Sequence, residues 1–142
     1  MADTLSSRER SERMSRIKGR DTTPELRVRK TAHRLGFRYR LHVKALPGTP
    51  DIVFPRHRVA IFVHGCFWHR HLDSSCKLAR LPKSRLDFWL KKLEGNRQRD
   101  AKHEQMLRDL GWRVEVIWEC ETRDPDRLES AIRRALVPHA VD

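Results

Sequence analysis

The chain has 142 residues, which suits one domain with a real core and leaves little room for a second. Lys and Arg number 31 against 19 Asp and Glu, a formal net charge of +12, and 38% of residues are hydrophobic. Such a surplus costs self-repulsion and points to a polyanion, nucleic acid before a membrane surface, because no long segment carries a wide apolar face. No apolar run approaches the ~18 residues that cross a bilayer. The opening residues, Met1 to Arg10, have no apolar signal region, so the expected location is the cytoplasm. The three cysteines Cys66, Cys76 and Cys120 are an odd set for a reducing compartment. They argue against a disulfide framework and leave metal binding or plain burial.

In chain order, Ser6 to Arg20 is dense in Arg, Ser and Glu, with Met14 and Ile17 as its few apolar residues. It reads either as a tail or as an arm that orders on a phosphate backbone. Thr22-Thr23-Pro24-Glu25 starts a helix with a hydroxyl cap and a proline in the first turn. Leu26, Ala32 and Leu35 are expected on its inner face, and Gly36 ends it. Phe37 to Val43 has extended character, and Leu46-Pro47-Gly48-Thr49-Pro50 is a loop. Asp51 to Phe54 reads as a short strand, Pro55 to Arg58 as a turn, and Val59 to Val63 as a buried strand closing a hairpin.

An irregular polar segment, Leu72 to Pro82, follows. Ser84-x-x-Asp87 resembles a capping box and opens a helical region through Leu110, with Gly95 a candidate break. Leu86, Trp89, Leu90 and Leu93, then Met106, Leu107 and Leu110, lie at helical spacing within it. Val114 to Trp118 is the next strand, and Asp124-Pro125 opens a last helix carrying Leu128, Ile132 and Leu136. The long helical crossover between Val63 and Val114 permits parallel pairing of those strands. The expectation is an α/β domain: a small mixed sheet with helices on both faces.

The chemistry concentrates where the buried strand ends, at His64-Gly65-Cys66-Phe67-Trp68-His69-Arg70-His71. If the two strands are parallel neighbours, Cys120 arrives beside Cys66. With His71 and Cys76 it completes a Cys3His set suited to a closed, structural Zn²⁺ site. The alternative is three small buried thiols, against which the polar surroundings of Cys76 weigh. Asp51, at the start of a strand, is a candidate Mg²⁺ ligand, although an aspartate there is also an ordinary turn residue. No second acid stands on the neighbouring strand, so a backbone carbonyl near Val63 is the candidate oxygen donor. His64 and His69 are not needed for the zinc set. A neutral imidazole beside a metal-bound phosphate can take a proton from water, and surface histidines are the plain alternative. The adjacent aromatics Phe67 and Trp68 cannot both easily enter one core, and exposed aromatics on a basic protein can wedge between bases.

Taken together, these residues resemble the very-short-patch-repair (Vsr) mismatch endonucleases. The likeness rests on the His64–His71 segment, on Met14-Ser15-x-Ile17, on Arg20-Asp21-Thr22 with Glu25, and on Leu46-Pro47-Gly48-x-Pro50-Asp51. It continues through Phe88-Trp89-Leu90-x-Lys92-x-x-x-Asn96-x-x-Arg99-Asp100, and through Leu110 to Val114 and Trp118 to Cys120. The resemblance implies a restriction-endonuclease-like core and a Mg²⁺-dependent nick on the 5′ side of the thymine in a T·G mismatch. It implies Asp51 and the Val63 backbone carbonyl as Mg²⁺ ligands, Val63 standing where the family often has threonine. It further implies His69 as the catalytic imidazole supported by Asp100, with Glu25 and His64 in the water and hydrogen-bond network. Cys66, His71, Cys76 and Cys120 become the zinc ligands. Phe67, Trp68 and Trp89 become the wedge, Lys92 and Asn96 the contacts to the mismatched bases, and Met14 and Ile17 the arm in the minor groove.

The expected organisation is an arm over 1–20 and one endonuclease domain over 21–142. The expected partner is double-stranded DNA carrying a T·G mismatch, with association to the nucleoid through DNA. A single asymmetric lesion suits a monomer, and other mismatch-repair proteins are candidate partners. The competing readings are a zinc-stabilised DNA-binding module without catalysis, and a related nuclease for methylated or branched DNA.

Overall fold

The apolar run that ends at His64 is the third strand of a four-stranded sheet in which it is paired on both sides. The computed structural model of the protein describes residues 21–137. The expected arm, with Met14 and Ile17, lies outside the described residues. The strands are β1 (Arg40–Leu41), β2 (Ile52–Phe54), β3 (Val59–His64) and β4 (Arg113–Trp118), in the order β1-β2-β3-β4. The first three run antiparallel, and β3 pairs β4 in parallel. The expected hairpin joins β2 to β3, and its last turn residue, Arg58, takes φ +57. The extended segment Phe37 to Val43 contributes only the two-residue β1.

The helices are α1 (Thr23–Arg34), α2 (Leu86–Asp109), the single turn α3 (Glu119–Thr122) and α4 (Pro125–Leu136). One face of the sheet packs Ile52, Phe54, Val59, Ile61 and Ile117 against Val28 and Ala32 of α1 and Leu128, Ile132 and Leu136 of α4. The other face packs Val53, Ala60 and Phe62 against Leu107 of α2, with Val114, Val116 and Trp112 alongside. Burial on both faces explains why β3 reads as an unbroken apolar run instead of an alternating one. The expected α/β sandwich of helix, mixed sheet and helix is therefore present. No helix among the described residues is long and apolar enough to cross a membrane.

Helix α1 starts as its sequence requires. Thr22, in extended conformation, accepts from the Glu25 N–H at 3.4 Å, and Gly36 at φ +94 follows its end. Its inner face is Glu25, Val28 and Ala32. Leu26, expected inside, is 40% exposed. It lies two positions before Val28, about 200° round the helix, and so points away from the sheet.

Helix α2 departs from expectation in three ways. Its N-cap is Arg85, at φ 56 with no side-chain cap bond, so the expected Ser84–Asp87 box is not formed; the helix starts one residue too late for it. It runs without a break through Gly95, where an added Cβ would meet nothing within 4 Å. Only Leu93 and Leu107 are fully buried on it, whereas Leu86, Met106 and Leu110 are exposed. A helix of that length spans about 36 Å against about 20 Å for a six-residue strand, so the sheet, met through Leu107, covers only part of it.

Candidate active site and metal centre

The parallel register pairs Val63 with Ile117 and His64 with Trp118. Continuing past both strand ends therefore brings residue 66 beside residue 120. The Cys120 N–H, in the first turn of α3, donates to Cys66 Sγ at 3.4 Å, and Cys120 Sγ lies 3.7 Å from His71 Nδ1. His71 is held twice: its N–H donates to the Cys66 carbonyl at 2.8 Å, and its ring stacks on Trp118 with centroids 4.2 Å apart. Cys76 arrives from the polar segment through a turn closed by its N–H to the Asp73 carbonyl at 3.0 Å. One ligand atom from each of Cys66, His71, Cys76 and Cys120 lies within 4.8 Å of the others. Tetrahedral zinc with Zn–S near 2.3 Å has ligand–ligand edges of roughly 3.5–3.8 Å, so the set fits such an ion after a small contraction. Burial and the neighbouring sulfurs push the Cys66 and Cys120 thiols up, which keeps them protonated. A bound cation reverses that preference, because thiolate is the ligand.

On the other side of β3, Asp51 leads into β2. Its Oδ2 accepts from the Val63 N–H at 2.7 Å. Burial raises its carboxyl from 3.8 to about 7; the Val63 bond opposes the rise, and Glu25 adds to it. Glu25 is 4% exposed, delivered by the first turn of α1. Its Oε2 accepts from the Asp21 N–H at 3.0 Å and from Arg29 at 3.1 Å, and it lies 3.2 Å from His42 Nε2. A buried carboxyl raised by a neighbouring acid favours a nearby cation, which is compatible with Asp51 as the expected Mg²⁺ ligand.

The third group is a dyad. His69 Nδ1 meets Asp100 Oδ2 at 2.6 Å, across 31 residues of chain. With Nδ1 engaged, Nε2 is the ring atom left for another partner. His64 lies flat against His69, with centroids 3.9 Å apart and planes 5° apart. Burial, with His69 beside it, drives the His64 imidazole down from 6.5 to about 3, so it stays neutral at physiological pH. Glu25, Asp51, Val63, His64, His69 and Asp100 all line one cleft of about 950 Å³, with Trp68, Lys92 and Asn96 on its walls.

Residues 2–77 match the family model described as DNA mismatch endonuclease Vsr. The chain belongs to this family. It is 50% identical over 138 residues to the type II nicking enzyme V.XorIIP of Xanthomonas oryzae pv. oryzae, covering 97% of this chain and 99% of that one. It is 41% identical over 128 residues to the DNA mismatch endonuclease Vsr of Escherichia coli K12, covering 90% and 80%. A third relative, the type II nicking enzyme V.NmeAIP of Neisseria meningitidis, is 41% identical over 137 residues, covering 94% and 96%. The Vsr match over 2–77 takes in Glu25, Asp51, His64, Cys66, His69, His71 and Cys76. Asp100 and Cys120 join those residues through the fold.

The aromatic residues expected of a Vsr protein form one cluster, of which Trp68 lines the cleft. Phe67, Trp68 and Trp89 meet edge to face, with centroids 5.1, 5.4 and 6.1 Å apart, and Phe88 adds a further ring 5.2 Å from Trp89. The Asn96 amide donates to the Trp68 carbonyl at 3.0 Å, so in this state it braces the aromatic loop. Sequence reasoning missed Arg29 and His42 behind Glu25, and His103 and Glu104 on the cleft wall, and it named Arg99 in a motif without giving it a role. The spacing of Asn96, Arg99 and His103 along α2 was the available signal for that wall, since it puts them on one helical face.

Proposed function

We propose that the protein is a Mg²⁺-dependent DNA endonuclease that nicks one strand on the 5′ side of the thymine in a T·G mismatch, the lesion left by deamination of 5-methylcytosine. The observation that carries this reading is that Asp51 and the His69–Asp100 dyad open onto one cleft in a chain of net charge +12. The mixed sheet, with its acid at the entrance of β2 and helices on both faces, serves as a restriction-endonuclease-like core.

Asp51 and the Val63 carbonyl would hold the magnesium ion. When bound, Mg²⁺ supplies charge stabilisation to a phosphate in flight between two oxygens. His69 Nε2 takes the proton from the attacking water, and Asp100 fixes the tautomer that makes this possible and stabilises the imidazolium that results. His64, kept neutral by burial, gives His69 a flat surface without adding charge. Glu25, backed by Arg29 and His42, orders water beside Asp51. Zinc bound by Cys66, His71, Cys76 and Cys120 would hold the loop that carries Phe67, Trp68 and His69, a stretch with too few apolar residues to pin itself.

Selectivity follows from stacking. A wobble pair stacks poorly, so opening it costs less than opening a matched pair, by roughly a few kcal/mol. Phe67, Trp68 and Trp89 wedge into the opened step and offset the remainder. Lys92 and Asn96 read the displaced bases, Asn96 exchanging its Trp68 bond for a base. The arm over 1–20 lays Met14 and Ile17 in the minor groove. The enzyme acts as a monomer on the nucleoid, and other mismatch-repair proteins are its candidate partners.

The test is a pair of duplexes differing in one T·G versus C·G pair, incubated with the protein and Mg²⁺. The expected product is a single nick on the thymine strand of the first duplex alone. Equal cutting of both removes mismatch selectivity, and binding with no cutting of either favours a non-catalytic module.

A further inference from the structure

Four polar residues of α2 (Lys92, Asn96, Arg99 and His103) recur at i, i+4, i+7 and i+11, and all four line the cleft. The cations of this helix divide into those held by an acid and those left without one. Arg97 is held by both oxygens of Glu94 at 2.9 and 3.1 Å, and Arg108 meets Glu104 at 3.5 Å. Lys91, Lys92, Arg99 and Lys102 are exposed and have no acidic partner among the described residues, and of these four Lys92 and Arg99 line the cleft.

The position of Arg99 is also defined. It directly precedes Asp100, which holds His69. One turn further along, His103 packs against the loop that leads to Asp51, so closely that a Cβ added to Gly48 would lie 2.8 Å from His103 Cβ. Arg99 therefore stands on the wall between the dyad and the carboxylate. A guanidinium offers five donors in a planar fork that matches phosphate oxygens, and leaving it unpaired beside a reaction centre keeps it available for an anion.

We propose that Arg99 clamps a phosphate of the nicked strand next to the one that is cut. This rests on the reading of the cleft as the DNA site and assigns a backbone contact within it. Such a contact positions the strand and carries no sequence information. It must therefore act equally on matched and mismatched DNA, unlike the base contacts assigned to Lys92 and Asn96.

The test is equilibrium binding of the full chain, without added Mg²⁺, to labelled C·G and T·G duplexes between 50 and about 200 mM salt. Arg99→Gln is expected to weaken both duplexes equally, roughly tenfold at the low end of that range, and to flatten the slope of log K against log salt by about 0.9. Arg99→Lys should keep the wild-type slope, and Arg133→Gln, on α4 and held by Glu129, should change neither quantity. An unchanged slope in Arg99→Gln overturns the proposal, as does a loss confined to the T·G duplex or an Arg99→Lys slope as flat as that of Arg99→Gln. A flattened slope in a protein that prefers neither duplex leaves the phosphate contact standing and removes the mismatch reading instead.

Discussion

Cys66 and Cys120 are 54 residues apart, yet the backbone N–H of one donates to the sulfur of the other at 3.4 Å. The parallel pairing of β3 with β4 makes the contact, because both chains leave the sheet at the same end. The same strand end points His64 and His69 into the cleft on the other side. One piece of sheet thus aims a thiol cage and an imidazole pair in two directions.

The cage is expected to hold zinc and to be needed for folding. Cys76→Ser and Cys120→Ser should lose the metal on purification, by elemental analysis. Their melting temperatures should fall by about 10 °C or more, since several kcal/mol are at stake in a domain of this size. Wild-type zinc content in Cys76→Ser would take that residue out of the set.

The dyad predicts a loss of rate without a loss of binding. His69→Ala and Asp100→Asn should lower single-turnover nicking of a T·G duplex by roughly 10²–10⁴-fold, the usual worth of a positioned general base. Affinity for the duplex should stay within about twofold, because neither side chain is a phosphate contact in this account. Nicking at the wild-type rate in either variant places the base elsewhere.

Asp51 predicts a pH dependence with a definite sign. Its folded value, about 7, lies above the 3.8 of an ordinary aspartate. The stability this group contributes is therefore complete below the ordinary value and is lost as pH rises through 7. In metal-free protein, Asp51→Asn should be more stabilising at pH 8 than at pH 5, by on the order of 2 kcal/mol in urea unfolding. Magnesium should reverse the order, stabilising wild type at pH 8 and leaving Asp51→Asn unchanged. A Mg²⁺ effect of equal size in both proteins separates the ion from this carboxylate.

Gly48 predicts a purely steric cost. It sits at φ +74, and a Cβ there would come within 2.8 Å of His103 Cβ. Gly48→Ala should destabilise by about 1–3 kcal/mol from the left-handed backbone and the collision together. In a His103→Gly background, which removes that Cβ, Gly48→Ala should keep only the roughly 1 kcal/mol backbone cost, read from urea curves of His103→Gly with and without it. An equal cost in both backgrounds means that the helix and the loop do not touch in solution.

The local signals were legible where they were local. Thr22, Pro24 and Gly36 bounded α1, Asp124 and Pro125 opened α4, and β-branched runs marked β3 and β4. Leu26 misled because a helical period of apolar residues does not say which of two neighbouring faces meets the sheet. Ser84 misled because a capping pattern is a possibility that the loop geometry did not use. Arg99 was given no role and His103 went unnoticed because a cation on a long polar helix looks the same whether it faces a cleft or solvent.

By itself the sequence determined the type of each main element and the residue kinds at the strand ends, since propensity, turn chemistry and hydrophobic period act over a few neighbours. It also carried the likeness to the Vsr endonucleases, because the order and spacing of those residues are properties of the chain alone. Only the tertiary structure decided that Asp100 meets His69, that Cys120 meets Cys66, and that Glu25 stands beside Asp51. Those meetings depend on the register of β3 against β4 and on how α1 and α2 cover opposite faces of one sheet. That arrangement comes from burying both faces at once, a condition no short stretch of residues can express.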